Sequence, residues 1–163
     1  MSDMQAVADH FEIEALRVEI TDAVMMRDYD RAASLFTPWG AVRWPHIDKE
    51  FVGREEIRAG SEWGQGLWEF FVQNLHPGFT RLDGDTAVGR AYIQEFGRMR
   101  DGSSHLNHGL YHDGYECTSD GWKFSERVYE VRYTDRSPLA DSPPSHAPVV
   151  QARRQPLTRP GSS

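Results

Sequence analysis

At 163 residues and 18.6 kDa, with 39% apolar and 12% aromatic residues, the chain is long enough to bury one sizeable core and short for two domains. Eighteen basic against 25 acidic side chains leave a net charge of −7, which argues against a nucleic-acid backbone or an anionic membrane as partner, since both need a clustered basic face. No apolar run approaches the roughly 18 residues that a membrane helix requires, and the single cysteine, Cys117, rules out an internal disulfide or a multi-thiolate zinc site.

In chain order, MSDMQAVADHFEIEALR carries acidic residues where an export signal has a basic flank and an apolar stretch, so a cytoplasmic location is the expectation. Ile13, Leu16, Ile20 and Val24 recur at the spacing of one helix face, and Phe11, Ala15, Val18 and Met25 widen the apolar sector. This predicts a long, mostly buried helix. Asp28 can cap a second, short helix over 29–36, which Thr37-Pro38 stops. A short extended segment is expected at 41–46. A third helix starts at 54–59, and Gly60, Gly64 and Gly66 leave its continuation undefined.

From residue 72 the hydrophobic period changes to two, and strands are expected at about 75–82, 86–99, 105–118 and 122–133. Asp83-Gly84, Asp101-Gly102 and Ser119-Asp120-Gly121 supply the hairpin turns. Helices first and strands afterwards give an α+β fold with an antiparallel sheet. The composition breaks near Ser137: residues 137–163 hold six of the nine prolines and no aromatic residue, so residues 1–136 form the domain and the rest a tail, flexible or docked through Val149 and Val150. The tail has three arginines and one aspartate, which leaves residues 1–136 at −9. A buried, inert thiol is the expectation for Cys117.

RDYDRAASLFTP after a long first helix, then FVGREEI, LDGDTAVGRAYI and GLYHDGYECTSDGWKFSERVYEV, resemble the SnoaL-like branch of the nuclear transport factor 2-like superfamily over about residues 8–135. The family includes ketosteroid isomerase, scytalone dehydratase and polyketide cyclases, together with members that only bind partners. The resemblance implies a cone: a strongly bent antiparallel sheet wrapped around three N-terminal helices, enclosing an apolar cavity. It also implies a homodimer through the outer face of the sheet. Its catalytic dyad of carboxylate and histidine falls on Met25 and Gln73 here, so the dyad is absent. Trp44 falls on a cavity aromatic, Glu95 near a second acidic or imidazole group, and Arg127 on an arginine after the last turn.

The stretch HLNHGLYHDGYE, residues 105–116, concentrates His105, His108 and His112. Glycines at 109 and 114 favour extended backbone, which splits the imidazoles between faces: His108, Leu110 and His112 on one, His105, Asn107, Tyr111, Asp113 and Tyr115 on the other. Alignment to the dehydratases turns the first set inward, with Ala91, Ile93 and Glu95 on the preceding strand and Arg127, Tyr129 and Val131 on the last. Asp113 is the alternative acid if the faces are reversed. Such a mixed wall suits a ligand pocket.

The leading reading is a cofactor-independent enzyme, a cyclase, isomerase or dehydratase, moving protons on a small, largely apolar oxygenated molecule. His108 or His112 serves as base, and Glu95 as orienting carboxylate or acid. Arg127 and Tyr129 stabilise an oxyanion, and Trp44, Met25, Gln73, Phe71, Leu110 and Ile93 line the site. Glu95 paired to Arg127 as a structural ion pair is the plainer alternative. No metal site is expected, since His108 and His112 at i, i+4 would need a helix to share a ligand and the sequence lacks the glutamate of H-E-x-x-H. The rival reading is a non-catalytic binding or interaction module on the same cone.

Overall fold

The structure, a computed structural model, describes residues 2–143. Helix α1, Asp3–Met25, starts where the Ser2 hydroxyl accepts from the Gln5 amide at 3.2 Å. Ile13, Leu16, Ile20 and Ala23 pack on the core, whereas Phe11 and Val18 are exposed, so the helix is buried along one stripe rather than mostly buried. Asp28 caps α2, Tyr29–Ser34, by accepting from the Arg31 amide at 3.1 Å. Helix α3, Arg54–Gly66, is continuous through its glycines. Two of them are needed there: a Cβ at Gly60 would strike the Phe51 ring, and Gly64 faces the Trp44 indole. Small residues thus let α3 lie close on the neighbouring strands. No helix among the described residues is long and apolar enough to cross a membrane.

Six strands follow the order β2-β1-β6-β5-β4-β3 in one curved, unclosed sheet. They are β1 Phe36–Trp44, β2 Lys49–Val52, β3 Trp68–Asp83, β4 Thr86–Met99, β5 Ser104–Thr118 and β6 Gly121–Asp135. The last four pair antiparallel through three turns that place Gly84, Gly102 and Gly121 at positive φ, the conformation those Asp-Gly dipeptides favour. β3 starts seven residues before the expected strand, because the Trp68–Phe71 aromatics pair with the end of β4. β1 pairs with β6 in parallel, Val42 opposite Arg127, so the sheet is mixed at this edge rather than wholly antiparallel.

The core lies between the concave face and the helices. Ile13, Leu16, Ile20, Phe36, Ile57, Tyr115 and Phe124 fill it. Asp9, buried on α1, accepts from the Trp122 indole N–H at 3.0 Å, which satisfies a group that would otherwise cost stability. Arg17, also on α1, is 1% exposed. Its Nε donates to the Tyr115 hydroxyl at 2.7 Å, and its Nη2 donates to the Phe79 carbonyl at 2.7 Å. Gly89 makes room for it, since a Cβ there would overlap both Arg17 Nη2 and the Phe79 carbonyl oxygen.

Residues 137–143 have no regular structure. The Leu139 amide donates to Ser104 Oγ at 3.2 Å and Arg98 Nη2 to Ser142 Oγ at 3.0 Å, so this part of the tail lies against the domain. Val149 and Val150, expected to dock, lie outside the described residues. Cys117, expected to be buried, is exposed, one residue pair from the β5–β6 turn at the sheet margin. Gly89→Ala should displace Arg17 and lower unfolding free energy by about 1–3 kcal/mol, measured by urea titration. An unchanged midpoint would show that Arg17 is not confined at this point.

Candidate active site

Strand alternation and one bulge decide which side chains meet. Counting back from the β5–β6 turn, Thr118 faces Gly121 and Tyr115 faces Phe124. Without an irregularity the same count would put His112 opposite Arg127. A bulge at Ser125 moves the register by one residue, so Asp113 faces Arg127 and Gly114 faces Glu126. The extra residue exchanges the faces of β6, from Trp122 and Phe124 inward before it to Arg127 and Tyr129 inward after it. It leaves the alternation of β5 intact, so the odd residues of β5 share the face of Arg127. Consequently Asn107, Tyr111, Asp113 and Tyr115 turn inward on β5. His108, Leu110 and His112 stand on the outer face, which corrects the expected orientation of that strand.

On that outer face His108 and His112 are exposed. His112 Nε2 lies 2.7 Å from Glu130 Oε2, and His108 packs against the Tyr133 ring. Leu110 is buried there between its cross-strand partners Tyr92 and Glu130. None of the three reaches the interior. Ala91, Ile93 and Glu95 on β4, and Tyr129 and Val131 on β6, face inward as expected.

Arg127 also turns inward but is sealed in. It donates from Nε to Asp113 Oδ1 at 2.7 Å and from Nη2 to Oδ2 at 3.2 Å, with only 6% and 0% of the two side chains exposed. Its guanidinium lies 4.0 Å from the Tyr111 ring centroid and 4.5 Å from that of Phe124. Tyr115 donates its hydroxyl to Asp113 Oδ2 at 2.9 Å. Carboxylate, phenol and the Arg17 and Arg127 guanidiniums therefore form one satisfied buried chain. Arg127 is a strut behind the wall, not the exposed oxyanion donor expected, and its ion-pair partner is Asp113 rather than Glu95.

A cavity of about 490 Å³ opens between the helices and the free part of the concave face. Its apolar wall includes Trp44, Trp63, Trp68, Phe71 and Val131, and its polar groups include Gln73, Glu95, Asn107, Tyr111 and Tyr129. Glu95, 8% exposed, accepts from Gln73 Nε2 at 2.7 Å and from the Tyr129 hydroxyl at 2.9 Å. Burial pushes its carboxyl above the usual range. The hydrogen bonds from Gln73 and Tyr129, the Arg127 charge and Asn107 pull the other way without cancelling it. Burial likewise raises the phenols of Tyr111 and Tyr129, so both are neutral donors. His46, edge-on to the Tyr129 ring at 5.3 Å, and His105, edge-on to Trp68 at 5.7 Å, are held below the usual imidazole range by partial burial.

Of the residues singled out in the sequence, Glu95, Tyr129, Trp44, Gln73 and Phe71 line this cavity. Met25 sits beside it: its sulfur accepts from the Gln73 backbone N–H at 3.1 Å. The two positions of the missing dyad are therefore neighbours in space, occupied by a thioether and an amide. Ile93 is buried within the wall against Tyr111 and Tyr129. The residues assigned to the wrong face, His105, Asn107 and Tyr111, and the unnoticed His46 are part of the lining. A bulge at an ordinary serine leaves little trace in sequence; the signal that was present is the Asp113 and Arg127 pair, whose charges need each other indoors.

An α+β cone whose open end holds an apolar cavity with one buried carboxyl is the architecture these observations define. The chain belongs to the SnoaL-like domain family, whose model matches residues 5–128. Among solved structures it is similar to LinA, at 23% identity, 88% of this chain and 100% of that one covered, TM-score 0.79. Hexachlorocyclohexane dehydrochlorinase LinA-type3 from Novosphingobium barchaimii matches at 22% identity over 88% and 100%, TM-score 0.77. A protein from Novosphingobium aromaticivorans provisionally named a scytalone dehydratase matches at 17% identity over 88% and 100%, TM-score 0.73. At these identities the likeness is one of fold. No curated protein matches the sequence.

Two outcomes follow from the two inward carboxyls. Asp113→Asn leaves Arg127 as an uncompensated buried cation and should cost about 3–5 kcal/mol, whereas a double Asp113→Leu, Arg127→Met variant should recover most of it; equal losses in single and double variants would mean the pair is not the source. Glu95 is raised in the folded state, so its protonated form favours folding. That contribution is complete below the unfolded carboxyl pKa and is lost as pH rises through the folded one. Thermal melts should show wild type losing stability relative to Glu95→Gln as pH increases across this window, and a constant difference would contradict a buried, raised carboxyl.

Proposed function

We propose that the protein is an acid/base enzyme that moves a proton on a small, largely apolar oxygenated substrate, an isomerase, cyclase or dehydratase with Glu95 as the proton-carrying group. The observation that carries this reading is Glu95 itself: a carboxyl at the wall of an aromatic cavity, held by Tyr129 and Gln73 and bearing no directly bonded cation. A carboxylate whose proton affinity burial has raised is a stronger base than one in water, and its acid form persists closer to neutrality.

In this reading the ionised Glu95 takes a proton from a carbon next to the substrate carbonyl. The C–H electron pair moves into the enolate, whose oxygen accepts hydrogen bonds from neutral donors on the same wall, Asn107 and Tyr111. Return of the proton to a different atom, or departure of a leaving group from the neighbouring carbon, completes isomerisation or elimination. Gln73 and Tyr129 fix the carboxyl and damp its change of charge. Trp44, Phe71 and Val131 hold the apolar body and exclude water. The reading needs no cofactor, and His108 and His112, being on the outer face, have no part in it.

A second reading, a binding module, is favoured by one observation: Met25 and Gln73 stand where relatives of the resembled kind carry a dyad. The two separate by deuterium wash-in from D2O at the carbons next to the carbonyl of 2-tetralone and its ring-substituted analogues, followed by NMR. Wild type should accelerate exchange, and Glu95→Gln should slow it about 10²–10⁴-fold with its circular dichroism unchanged. Binding of these ketones with identical exchange in the two proteins would leave only the binder.

A further inference from the structure

The charges around the cavity are arranged unlike those of the rest of the protein. Residues 1–136 carry a net charge of −9, yet the ionisable lining is basic: Lys49, Arg136, His46 and His105 against the one carboxyl of Glu95. That carboxyl is itself held toward its neutral form by burial.

The two cations are also left unpaired. Several arginines elsewhere hold carboxylates, as in Arg43 with Glu50, Arg58 with Asp30 and Arg98 with Glu69, and others, such as Arg54 and Arg100, bond backbone carbonyls. Neither Lys49 nor Arg136 has an ion-pair partner among the described residues, and residues 144–163 contain no aspartate or glutamate. Lys49 Nζ instead lies 5.3 Å from the Trp63 ring centroid, at the aromatic wall.

Arg136 has a second feature. It lines both the cavity and an adjoining groove, about 490 Å³, that shares Met99 and His105 with it and extends to Ser103 and Pro138. The Arg136 charge is near enough to His105 to help hold that imidazole below its usual range. The groove's carboxylate, Asp101, is engaged within its own turn: its Oδ1 accepts from the Ser103 amide at 2.8 Å and hydroxyl at 2.6 Å. A guanidinium without an ion-pair partner beside a neutral imidazole, at the end of an aromatic cavity, forms an arrangement that takes an anionic oxygen group.

We propose that the natural ligand is an amphipathic anion, an aromatic-sized apolar body inside the cavity with a carboxylate-like group at the mouth against Arg136. This rests on the reading of the cavity as a substrate site. It makes the rim a specificity device: the cations draw an anion to a pocket on an otherwise acidic surface and orient it so that its far end meets Glu95.

Matched probes test it. Titrations of wild type with 2-naphthoate, 2-naphthyl phosphate and the uncharged 2-acetylnaphthalene, followed by intrinsic tryptophan fluorescence and calorimetry, should show a carboxylate preference of about tenfold over the ketone. Arg136→Gln should reduce 2-naphthoate affinity about fivefold or more and leave the ketone within twofold. Lys49→Gln should act in the same direction. Preference for the phosphate over the carboxylate would retain the anion site and change the headgroup. Equal binding of naphthoate and ketone, or equal losses for both in Arg136→Gln, would overturn the anion proposal while the apolar cavity stands. If no probe binds wild type, the substrate-site reading fails as well.

Discussion

The bidentate pair between Arg127 and Asp113 is the constraint on which the interior depends. Two charges so deeply covered are tolerable only when each satisfies the other and the remaining atoms find partners. Here Tyr115 donates to the carboxylate, and the guanidinium lies between the rings of Tyr111 and Phe124. The pair locks the β5–β6 register on the inner face between the two bulges of that pairing, and with it the direction of the side chains from Gly109 to Gly114 and from Glu126 to Val131. Through Tyr115 the same chain reaches Arg17, so helix α1 and the sheet share one polar joint inside an otherwise apolar core.

Asp113 and Glu95 show how one face of a sheet can carry two carboxyls with different work. Asp113 meets a guanidinium directly and is a structural anion. Glu95, farther along the concave face, meets a phenol and an amide and feels Arg127 only at a distance. Burial therefore dominates at Glu95 and raises its proton affinity. The fold keeps the responsive carboxyl at the open end of the cone, where the helices leave the sheet uncovered, and the paired one where α1 closes over it.

The aromatic residues make the same division. Phe36, Phe124 and Tyr115 pack among themselves beneath α1. Trp44, Trp63, Trp68 and Phe71 instead surround a void, with α3 along one side of it. The size of that void follows from small residues as much as large ones. Gly64 lets Trp44 approach α3, and Gly97 faces the carbonyl of Phe70 where the register of β3 shifts.

Much of the architecture was legible from the sequence because it is encoded locally. The 3.6-residue stripe of α1, the Asp28 cap, the change to period two and the three Asp-Gly turns each depend on neighbours in the chain. These signals specify the α+β class, whereas the cone and the inward face of β4, and so Glu95, are what the family resemblance implies. What only the tertiary structure decided is the face of β5. One extra residue at Ser125 on β6 puts Asp113 rather than His112 opposite the inward Arg127, and the choice is settled by the burial energy of a charge pair formed between different strands. His108 and His112 are therefore outside, Tyr111 and Asn107 inside, and Arg127 a strut, because a bulge on one strand changes which residues of its neighbour stand opposite, and that pairing is a property of two strands together rather than of either sequence.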